Sequence, residues 1–246
     1  MYKPIVSIVQ LVFLILTVGL TSCNRGQDSN ARIAGKLTNA QEMRLILMEM
    51  DTRSILPVDS AILENTGTFA FNLKIKETGF WLLKAPSGKI LVMVIHPGDQ
   101  LELYGSANEF PDNVKIKGTT EAMTLHGFYA ETRKEELLVD SLENELSSHQ
   151  EDDDYFQITH KTDTALRQIW ERQRNREIRY INNFPGFLSS LVVINYAFGM
   201  SPVISPEDDF AYYTKLDSAL NRNFPENKHV KYHHQRVLEY QGKKKE

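Results

Sequence analysis

A single cysteine, Cys23, is the residue with the clearest chemical role in this sequence of 246 residues. One thiol cannot form a disulfide within the chain, a Cys-x-x-Cys redox pair or a cysteine-rich zinc site. It follows an apolar stretch from Ile5 to Leu20 and two small residues, Thr21 and Ser22. Because small neighbours leave the sulfur accessible to modifying and cleaving enzymes, we expect this thiol to be modified covalently.

The segment before Cys23 has the features of an export signal. Lys3 is its only charged residue, and its apolar stretch is shorter than the roughly 20 residues of a membrane-spanning helix. Leu20-Thr21-Ser22-Cys23 resembles the lipobox of bacterial lipoproteins, in which the cysteine receives a diacylglyceryl group and becomes the first residue after cleavage. The resemblance implies a signal peptide over residues 1–22, a lipidated Cys23, a polar tether over residues 23–30 and a membrane anchor without a transmembrane helix. A plain secretory signal and an uncleaved anchor are the alternatives.

The residues after Cys23 bear on the location of the protein. Some lipoproteins of the Bacteroidota carry a run of acidic residues directly after the cysteine as a tag for export to the cell surface. Asn24 and Arg25 stand at that place here, and Asp28 is the only acidic residue of the tether. We therefore expect a protein of the bacterial cell envelope, with a periplasm-facing location favoured over the cell surface.

Three histidines near the C-terminus are the best candidates for a metal site. His229 and His233 are four residues apart on a predicted helix, a spacing at which two imidazoles can hold one ion. His234 is adjacent, and Glu226 could supply a third ligand. An exposed helix face beside a basic tail is the interpretation we favour, because the sequence has no His-Glu-x-x-His motif or distant carboxylate motif. We expect neither a metal nor another cofactor.

Other reactive groups fit structural roles better than catalytic ones. The acidic run from Glu151 to Asp154 lacks the alternating ligands and central glycine of a calcium loop, so it indicates a solvated helix start. His96 could form a catalytic pair with Asp99, but its place at a strand end favours a turn. Residues 186–190 do not fit the Gly-x-Ser-x-Gly turn of a hydrolase, and neither a phosphate-binding loop nor a dinucleotide fingerprint occurs.

The composition is that of an ordinary globular protein without a basic bias. Hydrophobic residues make up 41% of the sequence and charged residues 24%, so a packed core is expected. The formal net charge of −4 argues against a nucleic-acid partner, which would normally require a basic face. Several aromatic residues could line a cleft or a partner surface: Phe80, Trp81, Tyr196, Phe198, Phe210, Tyr212 and Tyr213.

The first half of the chain is predicted to form strands. Short extended runs alternate with turn residues up to Gly118, and Phe69, Phe71 and Leu73 show the period of two that is typical of a strand with one buried face. Residues 90–95 are continuously apolar, as expected for a strand covered on both faces. About eight such strands without intervening helices predict an antiparallel β-sandwich over residues 31–118.

The second half is predicted to form helices. Periodic apolar residues indicate long helices from Thr119 to Ser148 and from Glu151 to Asn182. Shorter helices are expected over residues 187–198, after an N-cap at Ser205-Pro206, and from Phe224 onward. The sequence thus predicts an α+β fold: the sandwich, an all-α region over residues 119–241 and a basic tail over residues 242–246 that frays.

The order of several short motifs resembles a known group of lipoproteins. The lipobox is followed by Asp59-Ser60-Ala61, Gly67-Thr68-Phe69-Ala70-Phe71, Pro97-Gly98-Asp99, Val114-Lys115-Ile116-Lys117-Gly118 and Phe224-Pro225-Glu226-Asn227-Lys228-His229-Val230. This order resembles the N-terminal region, with a domain of unknown function of the DUF4369 type, of Bacteroidota lipoproteins whose C-terminal half is a thioredoxin-like (AhpC/TSA-type) disulfide oxidoreductase. The chain stops where that oxidoreductase domain would begin, so the resemblance implies no catalytic residue here.

These observations together predict a lipid-anchored, non-catalytic module that binds an unknown protein or peptide partner. An accessory role in a thiol–disulfide system supplied by another protein is a further expectation. One alternative is an enzyme of unrecognised type with a site between sandwich and helices, which a pocket holding titratable groups with strongly shifted pKa values would favour. A purely structural envelope lipoprotein is the other.

Overall fold

The computed structural model describes residues 30–151, 153–199 and 201–243. Its strands are β1 (Asn30–Thr38), β2 (Met43–Met50), β3 (Ile55–Leu63), β4 (Thr68–Lys74), β5 (Gly79–Lys84), β6 (Ile90–Ile95), β7 (Gln100–Ser106), β8 (Lys115–Lys117), β9 (Ala197–Phe198) and β10 (Ser201–Pro202). Its α-helices are α1 (Thr120–Ser148), α2 (Tyr155–Asn183), α3 (Ser190–Ile194), α4 (Phe210–Asn223) and α5 (Lys228–Lys243).

Strands β1 to β8 form two four-stranded sheets that pack face to face. The first sheet has the order β4-β1-β7-β8, and the second has the order β3-β2-β5-β6. Alternating apolar side chains from both sheets share one buried core, which includes Ile33, Leu45, Leu47, Phe71, Leu83, Met93, Leu101 and Leu103. The α+β class with an N-terminal β-sandwich, predicted from the strand patterns, is confirmed.

The first sheet is mixed, whereas a purely antiparallel sandwich was expected. Strand β1 is antiparallel to β4 but parallel to β7, with Arg32 opposite Gln100. The chain leaves the first sheet after β4, forms β5 and β6 in the second sheet, and returns as β7 alongside β1. Side-chain alternation fixes which face of a strand is buried, but it does not specify the neighbouring strand, so the sequence could not reveal this pair.

The helices cover the outer face of the second sheet at β5 and β6. Leu91, Met93 and Ile95 of β6 point into the sandwich core, whereas Val92 and Val94 pack against the helices. The continuously apolar strand is therefore covered on both faces, as its sequence predicts. This layering places the boundary between the sandwich and the helical region along β6.

The two long helices, α1 and α2, pack against each other. Thr119 caps α1 by accepting a hydrogen bond from the backbone N–H of Ala122, as the sequence predicts. Between the helices, Thr132 donates a hydrogen bond to Gln173, and Arg172 donates two to Glu135. The pair of helices is thus joined by one buried and one partly exposed polar contact as well as by apolar side chains.

The later helices begin or end at other residues than predicted. Helix α4 begins at Phe210, because Ser205 to Asp209 form a separate closed turn in which the Asp209 N–H donates to the Ser205 carbonyl. The predicted helix over residues 187–198 is limited to α3, and the strands β9 and β10 pair after it, so the region is not all-α. Both differences arise from short turns held by local hydrogen bonds. The residues of such turns do not form a pattern that the sequence reveals clearly.

Helix α5 begins four residues later than predicted. The Asn227 side chain accepts hydrogen bonds from the backbone N–H groups of His229 and Val230, at 3.0 and 3.4 Å, and so caps the helix. At the other end α5 continues to Lys243, two residues into the predicted basic tail.

Candidate binding cleft

A cavity of about 160 Å³ lies where the edge of the second sheet meets α1. Strand β6, the loop before β8, helix α1 and the segment before β9 all contribute to its wall. The lining residues are Ile90, Leu91, Val92, Pro111, Asp112, His126, Tyr129, Ala130, Arg133, Glu136 and Tyr196. This β6 cavity therefore lies between the sandwich and the helices.

A second, shallower hollow of about 440 Å³ adjoins the cavity along α1. The two share Arg133 and Glu136, and the hollow, here named the helix groove, is also lined by Trp170 and Phe198. Of the aromatic residues singled out in the sequence, Tyr196 and Phe198 thus line this cleft. Others are buried, such as Trp81, which belongs to the sandwich core.

A chain of polar contacts includes four residues that line the β6 cavity. Lys89 lies 3.3 Å from Asp112, and the same carboxylate lies 3.6 Å from Arg133. Arg133 in turn donates a hydrogen bond to Glu136 at 3.1 Å, and the Tyr196 hydroxyl donates to the other oxygen of Glu136 at 2.7 Å. The charged members are roughly one-third exposed or more, so each ion pair contributes little to stability and can separate at small cost.

Four residues that line the cavity have shifted pKa values that favour one protonation state at neutral pH. Burial raises the pKa of Tyr129 and of Tyr196, and the hydrogen bond to Glu136 raises the pKa of Arg133. Burial lowers the pKa of His126, which keeps its imidazole neutral. A group whose protonation does not change near neutral pH can take part in hydrogen bonds, but it transfers protons poorly. The shifts therefore suit binding better than acid–base catalysis.

One polar atom at the cavity lacks a partner within the part of the chain that the structure describes. Nδ1 of His126 is buried there without a hydrogen bond. Unpaired polar groups beside an apolar wall are a feature of ligand sites, since a ligand can satisfy them.

A different polar cluster joins the sandwich to the helices around His96. Nδ1 of His96 lies 3.0 Å from the Thr78 hydroxyl, and Nε2 lies 2.9 Å from one oxygen of Glu121. The other oxygen of Glu121 accepts the backbone N–H of Ser189 at 2.6 Å. The turn contact expected for His96 is also present, because its backbone N–H donates to Asp99 at 2.8 Å.

The hydroxyl, imidazole and carboxylate of this cluster have the composition of a hydrolytic triad, but their setting is structural. Thr78 and Glu121 are only 6% and 4% exposed, so both side chains are buried where the sandwich meets the helices. The hydrogen bond to Glu121 raises the pKa of His96, which favours an imidazolium paired with the carboxylate over a free base. The sequence predicted a helix beginning at Thr119 but did not reveal this role of Glu121.

The structure places His229 and His233 on α5 in separate surroundings. The His229 ring packs edge-on against Phe80, and burial lowers its pKa to about 4. The His233 ring stacks on Tyr213 and lies 3.2 Å from the Tyr213 carbonyl oxygen. Across the described ranges, no group of three or more His, Cys, Asp or Glu side chains is arranged to hold a metal ion.

The other candidate ligands face partners of their own. His234 lies 2.9 Å from Asp217, and Glu226 accepts a hydrogen bond from Lys231 at 2.6 Å. In the acidic run, α2 begins at Tyr155, four residues after the predicted start at Glu151, and Asp154 precedes it without a capping hydrogen bond from its side chain.

Cys23 and the predicted signal peptide lie outside the described residues. No helix within the described ranges has the length and apolar character that crossing a membrane requires.

Comparison with known proteins identifies the N-terminal part of the chain. A model of the family described as a domain of unknown function, DUF4369, matches residues 31–124. No curated protein matches the sequence. The matched range runs from β1 to the first turn of α1 and includes both His96 and Glu121. The match over residues 31–124 confirms the resemblance to the DUF4369-type N-terminal region that the sequence motifs indicated.

Proposed function

We propose that this protein is a lipoprotein of the bacterial cell envelope, anchored through Cys23, whose folded part is a non-catalytic binding module. We infer the binding role mainly from the cleft that the β6 cavity and the helix groove form together. Its wall combines apolar side chains with hydrogen-bonding groups that keep one protonation state, such as Tyr129 and Arg133. Ligand sites commonly have this mixture of apolar surface and a few placed polar groups.

The anchor and the location are supported by the sequence before and after Cys23. The lipobox and the short apolar segment favour lipidation, and the absence of an acidic run after Cys23 favours a periplasm-facing protein. The DUF4369 domain supports an accessory role beside a thiol–disulfide system of another protein, because lipoproteins that this chain resembles join such a domain to an oxidoreductase.

Photo-crosslinking in the cell envelope tests the binding role. We expect benzoylphenylalanine in place of Asp140, an exposed residue of the helix groove, to form a discrete adduct in living cells. The same amino acid in place of Asp163, exposed on α2 and outside the cleft, is the matched control and is expected to form none. Equal labelling at both positions, or none at either, would contradict the proposal.

Mass spectrometry of the protein purified from bacterial membranes tests the anchor. We expect the mature chain to begin at Cys23 with acyl chains attached, since each buried CH₂ group adds about 0.8 kcal/mol of membrane affinity. Cys23→Ser should leave the chain unprocessed and without lipid, whereas Ser22→Ala, which keeps a small residue before the cysteine, should be processed normally. An unmodified thiol on an uncleaved wild-type chain would refute lipid anchoring.

A further inference from the structure

The backbone of β6 has an outward edge next to the cavity. Among the described strands only β5 pairs with β6, so β6 ends the second sheet. Beyond the strand, the Ala85 N–H donates to the Lys89 carbonyl at 3.0 Å. Hydrogen-bonded and non-hydrogen-bonded pairs alternate along an antiparallel ladder. Ile90 and Val92 therefore occupy non-hydrogen-bonded pairs with β5. Their backbone N–H and C=O groups point away from β5.

These outward groups are available for pairing. No backbone hydrogen bond links them to another described residue, and the Ile90 side chain is 39% exposed. Val92 is partly buried, whereas Val94 is fully buried beneath the helices, so the accessible edge spans about three residues. A free strand edge of this kind is a template for another extended chain.

The β6 cavity lies along this edge and not above one face of the sheet. Ile90, Leu91 and Val92 all line it, although successive side chains of a strand point to opposite faces. Leu91 belongs to the sandwich core, and Val92 packs with the helices. Only a cavity beside the strand edge can touch three consecutive residues.

The size of the cavity favours a single side chain as its occupant. The volume of the cavity is about 160 Å³. It is well below the roughly 300–1,000 Å³ of sites that hold whole drug-sized molecules or cofactors. Because Pro111 and Ala130 contribute apolar wall, an aliphatic or aromatic side chain fits the cavity.

We propose that the β6 cavity docks an extended polypeptide segment of a partner protein, which pairs with the backbone of Ile90 and Val92 and places one apolar side chain in the cavity. This inference rests on the proposed binding function and names its ligand class. Strand addition supplies main-chain hydrogen bonds for affinity, while the cavity selects the side chain. The ion pairs of Asp112 with Lys89 and Arg133 separate as the segment enters.

Peptide binding to the purified mature lipoprotein in detergent tests the proposal. The probes are acetylated, amidated hexapeptides in which threonine alternates with leucine, valine, phenylalanine or tyrosine, and fluorescence anisotropy measures their affinity. We expect at least one peptide to bind saturably. N-methylation of residues whose N–H groups face β6 should weaken that peptide about tenfold, whereas N-methylation of the intervening residues should change affinity less than threefold, because alternate N–H groups point away from the sheet.

A substitution in β6 provides the complementary test. Ile90→Pro removes an outward N–H that does not pair with β5, so the fold should tolerate it at this edge. It should weaken peptide binding about tenfold, while Ile90→Thr, which keeps the N–H, should weaken it less than threefold. Circular dichroism of both variants would establish that they are folded.

The outcomes separate the ligand class from the binding function. Binding that is insensitive to the position of N-methylation and to Ile90→Pro would overturn pairing with β6, and so would failure of every peptide to bind. An adduct at Asp140 that contains a glycan or a small molecule would also overturn the peptide proposal while supporting the binding module. Absence of any adduct at Asp140 would instead contradict the proposed binding function itself.

Discussion

Replacing Glu177 with glutamine is expected to stabilise the folded protein by about 3 kcal/mol at pH 9 and to change its stability little at pH 5. Glu177 is fully buried on α2, and although one of its oxygens accepts a hydrogen bond from Gln173 at 2.9 Å, the other has no partner in the described structure. Burial raises the pKa of Glu177 to about 8 from its ordinary value of 4.5. A buried carboxylate without a paired cation is costly.

The sign of the effect follows from proton linkage. Between about pH 4.5 and pH 8 the folded state retains a proton on Glu177 that the unfolded state releases. The free energy of unfolding contributed by this group therefore falls as the pH rises through that window. Glutamine has a similar shape and no charge to bury, so Glu177→Gln removes this loss.

Urea unfolding at pH 5, 7 and 9 measures the expected difference. Glu131→Gln is the matched control, since Glu131 is exposed on α1, where its contact is with Lys134. The control should change the free energy of unfolding by less than about 0.5 kcal/mol at each pH. A Glu177→Gln effect of equal size at pH 5 and pH 9 would contradict the assignment of a raised pKa.

Removing the Glu121 carboxylate is expected to destabilise the protein by about 3–4 kcal/mol. Glu121→Ala leaves the backbone N–H of Ser189 without its acceptor and breaks the pair with His96, which joins the helices to the sandwich. Glu131→Ala on the same helix should cost less than about 0.5 kcal/mol, because its ion pair is exposed. Thermal or urea unfolding of the two variants measures the difference.

The conservative variant Glu121→Gln should show a distinct dependence on pH. Its amide oxygen can still accept the Ser189 N–H, but it cannot pair with a charged imidazole. Because Glu121 raises the pKa of His96, the stability from this pair is complete below the unfolded histidine pKa and is lost as the pH rises through the folded value. Glu121→Gln should therefore cost more at pH 6 than at pH 8.5, and a cost independent of pH would count against an ion pair.

The sequence predicted those parts of the fold that local patterns determine. Period two identified the buried face of β4 through Phe69, Phe71 and Leu73, and the continuous apolar run of β6 predicted its two covered faces. The parallel pairing of β1 with β7 escaped prediction, because alternation is the same in parallel and antiparallel strands. Strand neighbours are determined by tertiary contacts far apart in sequence.

The candidate cleft was harder to predict than the fold. Tyr196 could be named as an aromatic candidate, but Arg133 and Glu136 resemble ordinary charged residues of a solvated helix. They become part of a cavity only because α1 lies beside the edge of β6. The role of Glu121 was hidden for a related reason, since an acidic residue in a first helical turn already has a sufficient local explanation.

The position of β1 within its sheet affects the order in which the chain can fold. β1 is the first strand in the sequence, yet its residue Arg32 lies between Asn72 of β4 and Gln100 of β7. Nearly the whole sandwich must therefore be available before this central strand gains its second neighbour. Until then one edge of β1 is open, and unfolded chains with open strand edges aggregate readily. Holdase chaperones that act on the unfolded chain are thus expected to matter more for this protein than for a sandwich of sequential hairpins.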